Sequence, residues 1–516
     1  MSKVLKMTQE LPRKISRALL SVYHKDGLEP IVRKLHALGV ELLSTGGTAD
    51  WIASCGLPVH RVEALTGYPS ILGGRVKTLH PKVFGGILGR RGLASDLQEM
   101  EQYAVPPIDL VIVDLYPFTE TVAGGGTEEQ VIEKIDIGGI SLIRAAAKNH
   151  RDVLIVASRN RYAMLLQLLD EAEGVTGLAQ RREFARHAFG VSSAYDAAIY
   201  RYFSQDGPPD GFRLAMDDAQ GLRYGENPHQ QAVFFGKLDE VAEQLHGKPL
   251  SYNNLVDLDA AIQLIGEFDE PTFAVIKHNN ACGLASRPLL TDAWKAALAA
   301  DPVSAFGGVL VCNRPVNADV AEEVNKIFFE ILYAPAYSPE ALELLKSRKN
   351  RILLQARSFE FGPVQFRTLL NGMIMQERDK VVGGDEGFTV ATQRTPSERE
   401  LSDLRFANRI VKHTKSNAIV LVRDKQLVGS GTGQTSRVDA LRQAADKARA
   451  FGFSLEGAVM ASDAFFPFAD SVEIAHTQGI TAVIQPGGSI RDEDSVGYCN
   501  THGMAMVFTG VRHFRH

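Results

Sequence analysis

Cysteine is scarce in this 516-residue sequence, and its four cysteines lie far apart. Cys55, Cys282, Cys312 and Cys499 include no C-x-x-C pair, which argues against a disulfide framework and against a structural zinc site. The zinc-deaminase signature, H-x-E with P-C-x-x-C, is absent, and so is the G-x-x-x-x-G-K-[ST] phosphate loop. We therefore interpret the cysteines as reduced thiols.

Long hydrophobic runs and an excess of one charge are missing as well. No apolar stretch reaches the length of about 18 residues that a membrane span needs, and "MSKVLKMTQELPRK" lacks the apolar core of a signal peptide. The 56 basic and 61 acidic side chains give a net charge of −5, so no global basic field indicates nucleic-acid binding. We expect a cytoplasmic protein with no nucleic-acid partner and no membrane partner.

Short apolar strands alternate with amphipathic helices along the chain. "RALLSV", "VELLS", "LVIVD" and "VLIVAS" each have the character of a buried strand, and residues 28–38 carry apolar side chains at helical spacing before Gly39. Buried apolar strands that alternate with helices are typical of mostly parallel sheets. The sequence therefore predicts an α/β fold.

The alternation divides into two parts. The first covers residues 1–203, and "SQDGPPDG" at 204–211 is the best linker, because Pro-Pro and two glycines continue neither a helix nor a strand. The second part, 212–516, is long enough for two subdomains. Two units of a strand followed by a polar loop, around 271–283 and 457–470, suggest an internal duplication.

Two glycine-containing motifs of the first part suit an anion. "STGGTA" (44–49) offers backbone amides and threonine hydroxyls to a phosphate, with a tight turn and a Thr N-cap as an equal alternative. In "GGRVKTLHP", Arg75 and Lys77 would point to the same side of an extended segment, beside Thr78. A solvated loop is the alternative there.

Three further motifs of the first part contain Asp114, Tyr116, Asp136 and Lys148: "DLYPF", "IDIGG" and "RAAAKNH". "IDIGG" resembles an anion-accepting turn, with a carboxylate followed by glycines whose backbone N–H groups are free. Together with Lys77, these motifs offer a Tyr, two Asp and two Lys without a nucleophilic Ser or Cys, which indicates positioning and oxyanion stabilisation, not covalent catalysis.

In the second part, Lys277 and His278 follow the apolar run "FAVI". Ligand sites gather at strand ends in α/β sheets, His accepts a proton near neutral pH, and Lys stabilises an oxyanion. An exposed polar strand end remains the alternative reading, and the residues alone favour it. Phe306 and the phenylalanines of "SDAFFPF" would sandwich a flat heterocycle or pack in the core.

These motifs, in this order from about residue 17 to His516, resemble the family of bifunctional AICAR transformylase/IMP cyclohydrolase enzymes of purine biosynthesis. The resemblance implies that the second part transfers a formyl group from 10-formyltetrahydrofolate to the 5-amino group of AICAR. The first part would close formyl-AICAR to IMP with loss of water. The implied folds are a methylglyoxal-synthase-like, doubly wound parallel-sheet domain and a C-terminal domain of two cytidine-deaminase-like units.

The resemblance also assigns the transformylase residues. His278 is the implied base for the AICAR amine, Lys277 an acid or electrostatic stabiliser, and Asn417 a third catalytic residue. The implied contacts with AICAR or folate are Arg223, Tyr224, Phe306, Gly307, Glu330, Gln434, Arg437, Phe465, Asp470, Arg512 and His516.

For the cyclohydrolase, the implied catalytic residues are Lys77, Tyr116, Asp136 and Lys148. The implied substrate contacts are Lys25, Thr45, Gly46, Gly47, Thr48, Arg75, Thr78, Asp114, Ile137, Gly138 and Gly139. The resemblance further implies no catalytic metal, a homodimer with transformylase sites at its interface, and room for a monovalent cation such as K⁺ at an unspecified place in the second part.

The sequence departs from the family pattern at a few positions. Ala281 replaces a Pro behind the Lys-His pair, and Tyr23 and His24 replace smaller or acidic residues of the first phosphate loop. Glu330 stands where an Asp often contacts substrate. A nucleotide-binding regulatory protein and an enzyme with one inactive half are the alternatives. A sensor would need the phosphate loops but neither Lys277 nor His278, so the motif set favours the bifunctional enzyme.

Overall fold

The computed structural model describes residues 12–204, 211–381 and 387–516, and the chain divides into two compact units, Met1–Asp217 and Asp218–His516. Residues 205–210 of the linker predicted at 204–211 lie outside the described residues.

The strands of the first unit are β1 (Arg13–Lys14), β2 (Arg17–Val22), β3 (Glu41–Ser44), β4 (His60–Arg61), β5 (Leu110–Asp114), β6 (Leu154–Val156) and β7 (Val175–Thr176). Its helices are α1 (Glu29–Ala37), α2 (Gly46–Ser54), α3 (Val62–Thr66), α4 (Pro81–Leu88), α5 (Ala94–Gln102), α6 (Phe118–Ala123), α7 (Glu128–Ile132), α8 (Gly138–Lys148), α9 (Tyr162–Glu171) and α10 (Leu178–Phe203). Short 3₁₀ turns cover Leu72–Gly74 and Arg159–Arg161.

A parallel sheet of order β4-β3-β2-β5-β6 forms the centre of the first unit. Successive residues of β2 enter different cores: Leu20 packs with α1 and α9, while Leu19 packs with α4 and α8. Because both faces are covered by helices, the strands are apolar throughout and not alternating. The predicted parallel α/β sheet is confirmed.

The strands of the second unit are β8 (Ala219–Gly221), β9 (Val233–Phe235), β10 (Ala242–His246), β11 (Thr272–Lys277), β12 (Asn280–Ser286), β13 (Val309–Cys312), β14 (Ile331–Ala334), β15 (Ile352–Ala356), β16 (Val364–Leu369), β17 (Gly372–Glu377), β18 (Thr389–Val390), β19 (Ile419–Arg423), β20 (Gln426–Gly431), β21 (Val459–Ser462), β22 (Ala482–Gln485) and β23 (Ala505–Phe508). Its helices are α11 (Leu238–Val241), α12 (Tyr252–Ile265), α13 (Leu290–Ala300), α14 (Ala318–Val324), α15 (Pro339–Lys346), α16 (Glu398–Lys412), α17 (Arg437–Ala450), α18 (Asp470–Thr477) and α19 (Asp492–Thr501).

A mixed 12-stranded sheet organises the second unit, in the order β10-β15-β14-β13-β11-β12-β20-β19-β21-β22-β23-β18. Each half contains an antiparallel hairpin (β11–β12 or β19–β20) followed by three strands that run parallel to one another. The halves meet where Ala285 of β12 lies opposite Gln426 of β20. In the described residues, no helix combines the length and apolar character that a membrane span requires.

The predicted duplication is present, but the two segments that suggested it are not equivalent. Residues 271–283 form the first hairpin, whose counterpart is β19–β20, whereas 457–470 contain β21, the counterpart of β13. The pairing was wrong because a strand followed by a polar loop recurs at several strand ends of each half. Each hairpin has a bulge and a two-residue turn with positive φ, at His278–Asn279 and at Asp424–Lys425.

Candidate active sites

In the first unit, predicted site residues gather where β2, β3 and β5 end. Val22 and Asp114 are register partners, and Ser44 ends β3 beside β2. The loops that follow these ends carry Lys25, the Thr45–Thr48 segment and Tyr116. Parallel strands direct their carboxyl ends to one edge of the sheet, so residues distant in sequence meet there.

Asp136 is buried, and its carboxylate accepts hydrogen bonds from backbone amides. The Gly139 amide donates to it at 2.6 Å, and the Tyr116 and Ile140 amides also donate to it. Burial raises the pKa of Asp136 above its usual range, while these amides and the charge of Lys77 oppose the rise. The interpretation of "IDIGG" as a turn with free glycine amides is therefore wrong for Gly139, because Asp136 itself occupies that donor.

The loop that holds Lys25 and the "STGG" turn is internally bonded. The Thr48 hydroxyl donates to the Val22 carbonyl at 2.9 Å and accepts from the Val22 amide, so this hydroxyl ties α2 to β2. Lys25 Nζ donates to the carbonyls of Val22 and Tyr23 at 2.9 and 2.7 Å, and burial lowers its pKa. The first amides of α2, those of Gly46 and Gly47, have no intrahelical acceptor and suit an anion.

The segment with Arg75 and Lys77 is a turn, not an extended strand. Arg75 has αR backbone angles and pairs with Glu133 on the surface. Lys77 Nζ instead lies 3.5 Å from the position that a Cβ at Gly46 would take. The prediction that the two cations share one side is wrong, because the 3₁₀ turn before them breaks the two-residue periodicity. Lys77 alone joins the cluster of Asp136 and Gly46.

The remaining cyclohydrolase candidates divide between the cluster and its surroundings. Thr78 Oγ1 lies 3.0 Å from the Cβ position of Gly138, at the start of α8, and Ile137 is exposed beside it. Lys148 is the last residue of that helix. Ten residues at 1.5 Å each separate Gly138 and Lys148 by about 15 Å. Within one chain, Lys148 therefore does not join the Asp136 cluster.

Four residues near this cluster were not among the predicted contacts: Tyr23, His24, Lys134 and Tyr195. Lys134 Nζ lies 5.2 Å from the ring centroid of Tyr23 and 6.0 Å from that of Tyr116. The Tyr195 hydroxyl accepts from the Asp136 amide and donates to the Lys134 carbonyl. Burial and the charge of Asp136 raise the pKa of Tyr116. Tyr195 lies on α10, and nothing in its sequence surroundings indicates this contact. The fourth residue, His24, pairs with Asp114.

In the second unit, Lys277 and His278 stand at the turn of the first hairpin. Lys277 Nζ donates to the Phe306 carbonyl at 2.7 Å and lies 3.5 Å from the Cβ position of Gly307. His278 has φ 49°, and the next amide, that of Asn279, donates to Asp257 at 2.7 Å. A two-residue turn with both φ values positive matches the twist of a β-hairpin, so it presents this pair reproducibly.

A second group surrounds Asn417. Its side-chain amide donates to the Gln434 carbonyl at 3.0 Å, and its Oδ1 accepts from Arg437 at 3.3 Å. Arg437 also donates to Ser462 and to the buried Asp463, at 2.8 and 2.6 Å. Burial lowers the pKa of Arg437, and Asp463 opposes that shift. Sequence reasoning missed Asp463, which balances the charge of Arg437, an implied contact with AICAR or folate.

The two groups of the second unit are connected through one hydrogen bond. Asn280, which follows the Lys-His turn, accepts from the backbone amide of Lys415 at 2.9 Å. Lys415 lies two residues before Asn417, so the hairpin turn and the Asn417 loop are neighbours. The described structure therefore brings Lys277, His278, Phe306, Gly307, Asn417, Gln434 and Arg437 into one region.

Some of the other predicted contacts border this region, and others are engaged in pairs of their own. Arg223 stacks at 5.2 Å on Tyr224, and within the described ranges no hydrogen bond, ion pair or ring contact joins that pair to Lys277 or Asn417. Glu330 forms an ion pair with Lys248 at 2.6 Å. The remaining candidates are Asp470 at the start of α18, and Arg512 and His516, which both contact Phe514. The segment of Arg512 and His516 borders the region, because the His513 amide donates to the Asp463 carbonyl and the Arg515 amide donates to the Ser416 hydroxyl, both at 3.0 Å.

The phenylalanines of the second unit differ in their exposure to solvent. Phe306 and Phe465 are 64% and 37% exposed, so their rings are accessible to a ligand, whereas Phe466 is fully buried in the core. Phe466 therefore cannot take part in the proposed sandwich. The described residues contain no group of three or more His, Cys, Asp or Glu side chains arranged to hold a metal ion.

Comparisons with known proteins cover both units. A family model described as "AICARFT/IMPCHase bienzyme" matches residues 146–447, and an "MGS-like domain" matches 27–141. A protein named "Bifunctional purine biosynthesis protein PurH" from Bacteroides thetaiotaomicron is 58% identical over 504 residues, 98% of this chain and 99% of the relative. A protein of the same name from Acidithiobacillus ferrooxidans is 46% identical over 521 residues, 97% of this chain and 99% of the relative.

A solved structure titled "Crystal structure of ForH" is 36% identical in sequence, covers 37% of this chain and 100% of its own, and has a TM-score of 0.33. The family match extends over more than half of the chain, and the relatives cover nearly all of it. Both the family resemblance and the predicted fold class are confirmed. The chain belongs to the AICARFT/IMPCHase bienzyme family, the bifunctional enzymes that formylate AICAR with formyltetrahydrofolate and close the product to IMP in purine biosynthesis.

Proposed function

We propose that the two reactions occur at separate sites, one in each unit. The supporting observation is that each unit contains its own cluster of a lysine, a second titratable side chain and strand-end backbone. Lys77 and Asp136 provide it in the first unit, and Lys277 and His278 in the second. The proposed division is cyclohydrolase at 1–203, linker at 204–211 and transformylase at 212–516.

Closure of formyl-AICAR forms a bond between the carboxamide nitrogen and the formyl carbon. The formyl oxygen becomes an oxyanion, gains two protons that the two nitrogens lose, and leaves as water. Lys77 stabilises that oxyanion, and the α2 amides of Gly46 and Gly47 with Lys25 hold the ribose phosphate. Asp136 and Tyr116 orient the carboxamide, so proximity provides much of the rate.

In formyl transfer, the 5-amino nitrogen of AICAR attacks the formyl carbon of 10-formyltetrahydrofolate. His278 accepts the proton that this amine loses, and Lys277 stabilises the oxyanion and protonates the folate nitrogen that leaves. Asn417 lies near the reacting formyl group and helps to position it. Its amide and Arg437 are held by neighbours, which favours a fixed geometry.

A pair of variants tests the separation of the sites. We expect His278→Ala to abolish formyl transfer and to leave closure of supplied formyl-AICAR unchanged, and Lys77→Ala to do the reverse. Tetrahydrofolate and IMP are followed together in full-length protein, so each variant is the folding control for the other. Loss of both activities in a folded variant would contradict two separate sites. A folded wild type that binds AICAR and makes neither product would favour the regulatory-protein alternative.

We also propose the finer conditions of the reaction. The co-substrate is 10-formyltetrahydrofolate, and no metal ion is catalytic, because Lys277 and Lys77 supply the positive charge that oxyanions need. A monovalent cation such as K⁺ binds in the second unit, and the enzyme is a cytoplasmic homodimer that acts on small molecules without nucleic-acid or membrane partners. Activity in chelator, activity across KCl concentrations and the solution mass test these statements.

A further inference from the structure

His24 forms a close pair with Asp114 beside the cyclohydrolase cluster. Asp114 ends β5, and His24 follows β2, which is the neighbouring strand. The His24 backbone amide donates to Asp114 Oδ2 at 2.9 Å, and the ring nitrogen Nδ1 meets the same oxygen at 2.7 Å. One carboxylate oxygen thus fixes both the backbone and the ring of His24.

This contact determines which ring nitrogen carries the hydrogen. An ionised carboxylate only accepts hydrogen bonds, so Nδ1 of His24 must donate to Asp114, and the lone pair of a neutral ring is then on Nε2. Within the described ranges Nε2 has no hydrogen-bond partner, and the side chain is 25% exposed. The ring is therefore oriented, restrained and open to a ligand at one atom.

Aromatic contacts connect this ring to the proposed catalytic residues. The rings of His24 and Tyr23 meet edge to face at 4.8 Å, and Tyr23 meets Tyr116 in the same way at 5.7 Å. Lys134 lies over Tyr23 and Tyr116, and the Tyr116 amide donates to Asp136. His24 thus belongs to the same strand-end group as Tyr116 and Asp136.

We propose that His24 is a catalytic proton carrier of the cyclohydrolase reaction and that Asp114 is its positioning residue. This inference rests on the proposed location of the cyclohydrolase site. Neutral Nε2 accepts a proton from the attacking carboxamide nitrogen as the new C–N bond forms. It then returns that proton to the formyl oxygen. The formamide nitrogen gives up the second proton, by the same route, and the oxygen leaves as water while the C–O bond breaks. The proton balance closes without an additional reactant.

The charged and titratable groups around the pair come from several elements. The charge of Asp114, at the end of β5, opposes the fall that burial causes in the pKa of Lys25, which lies in the loop of His24. It adds to the rise that burial causes in the pKa of Tyr162 of α9. Asp26, next to Lys25, pairs with Arg159 at 3.6 Å, and Lys134 faces the tyrosines. Only a neutral imidazole accepts a proton, so closure that depends on His24 should slow as the solution becomes acidic.

The test measures kcat and KM for closure of supplied formyl-AICAR against pH in full-length His24→Gln and Asp114→Asn. For His24→Gln we expect kcat to fall about 100-fold and the acidic limb of the pH profile to disappear. For Asp114→Asn we expect a smaller loss of kcat with KM unchanged and an acidic limb that persists, because His24 remains but loses the partner that orients its ring. Formyl transfer should be unchanged in both variants.

Two controls make the result decisive. His60 is exposed and 3.9 Å from Glu41, so His60→Gln should leave kcat and the pH profile unaltered. An unchanged acidic limb in His24→Gln, or a raised KM with normal kcat, would overturn the proton-carrier role. If Lys77→Ala retains closure, the proposed site itself is wrong. If Lys77→Ala is inactive and His24→Gln is normal, only the role of His24 is wrong.

Discussion

At the scale of single residues, the position of the Asp136 carboxylate, a proposed site group, depends on a glycine. A Cβ on Gly139 would lie 2.6 Å from Asp136 Oδ2, closer than real Cβ contacts permit. We therefore expect Gly139→Ala to displace Asp136 and to reduce kcat for closure by about 100-fold, since a displacement of about 1 Å has such effects. Closure of supplied formyl-AICAR is the measurement. Gly190 of α10 has nothing within 4 Å of its Cβ position, so Gly190→Ala should be neutral or slightly stabilising. Normal closure in Gly139→Ala would show that Asp136 need not be fixed.

The same residues show how far the sequence predicts a site. The motifs predicted Lys77 and Asp136 as site residues, because the charge of a lysine or an aspartate beside glycines does not depend on the exact shape of the loop. The partners of those groups were not predictable. Gly139 donates to Asp136, Thr48 donates to Val22, and Asp463 balances Arg437, and each contact depends on which strand ends are adjacent.

At the scale of elements, α16 begins with a charged capping box that is tied to a distant loop. Glu400 is buried, and its carboxylate accepts from Arg394 at 2.8 Å, from Thr481 at 2.6 Å and from the Ser397 amide at 2.8 Å. Burial alone raises the pKa of Glu400, but these hydrogen bonds outweigh it and lower the value from 4.5 to about 2. Because the folded-state pKa is lowered, ionised Glu400 stabilises the fold above pH 4.5. This contribution is lost as pH falls through about 2.

Glu400→Gln should therefore lower the free energy of unfolding at pH 7 by on the order of 3 kcal/mol, and the deficit should vanish near pH 2. The chain has two tryptophans, and Trp294 is buried in the second unit. In a Trp51→Phe background, urea unfolding followed by Trp294 fluorescence reports on that unit. Glu243→Gln, in the exposed pair with Arg357, is the control and should change little. An equal deficit at pH 7 and pH 2 would exclude the ionic explanation.

Secondary structure was predicted correctly for strands that are buried on both faces of a sheet. It was predicted wrongly where a local turn sets the backbone conformation. Apolar runs such as 272–277 and 419–423 became strands because each lies in a sheet covered by helices. The 3₁₀ turn at Leu72–Gly74 has no hydrophobic pattern, so an extended backbone was assumed for Arg75 and Lys77. Short two-stranded pieces such as β16–β17 are exposed and carry no core pattern to predict them.

At the scale of the whole molecule, two halves of the second unit share a backbone but differ in chemistry. The hairpin turn of the first half presents Lys277 and His278, and the equivalent turn of the second half has Arg423 and Asp424. Both turns are held by an aspartate of the preceding helix. Asp257 accepts from the Asn279 amide at 2.7 Å, and Asp403 accepts from the Asp424 and Lys425 amides at 2.9 and 2.7 Å. The repeat thus supplies an internal comparison between a proposed functional turn and a structural one.

Equivalent substitutions in the two halves should therefore have different effects. Asp257→Ala removes the acceptor that fixes the Lys277–His278 turn, so we expect kcat for formyl transfer to fall at least about 10-fold while closure of formyl-AICAR persists. Asp403→Ala removes the acceptor of two part-buried hydrogen bonds and should lower stability by about 1–3 kcal/mol. The folded fraction should nevertheless keep a normal rate of formyl transfer. Rates per folded enzyme, corrected by Trp294 fluorescence, distinguish the two variants. Equal losses of rate would mean that both turns serve the reaction, and normal transfer in Asp257→Ala would show that the turn holds its geometry without this aspartate.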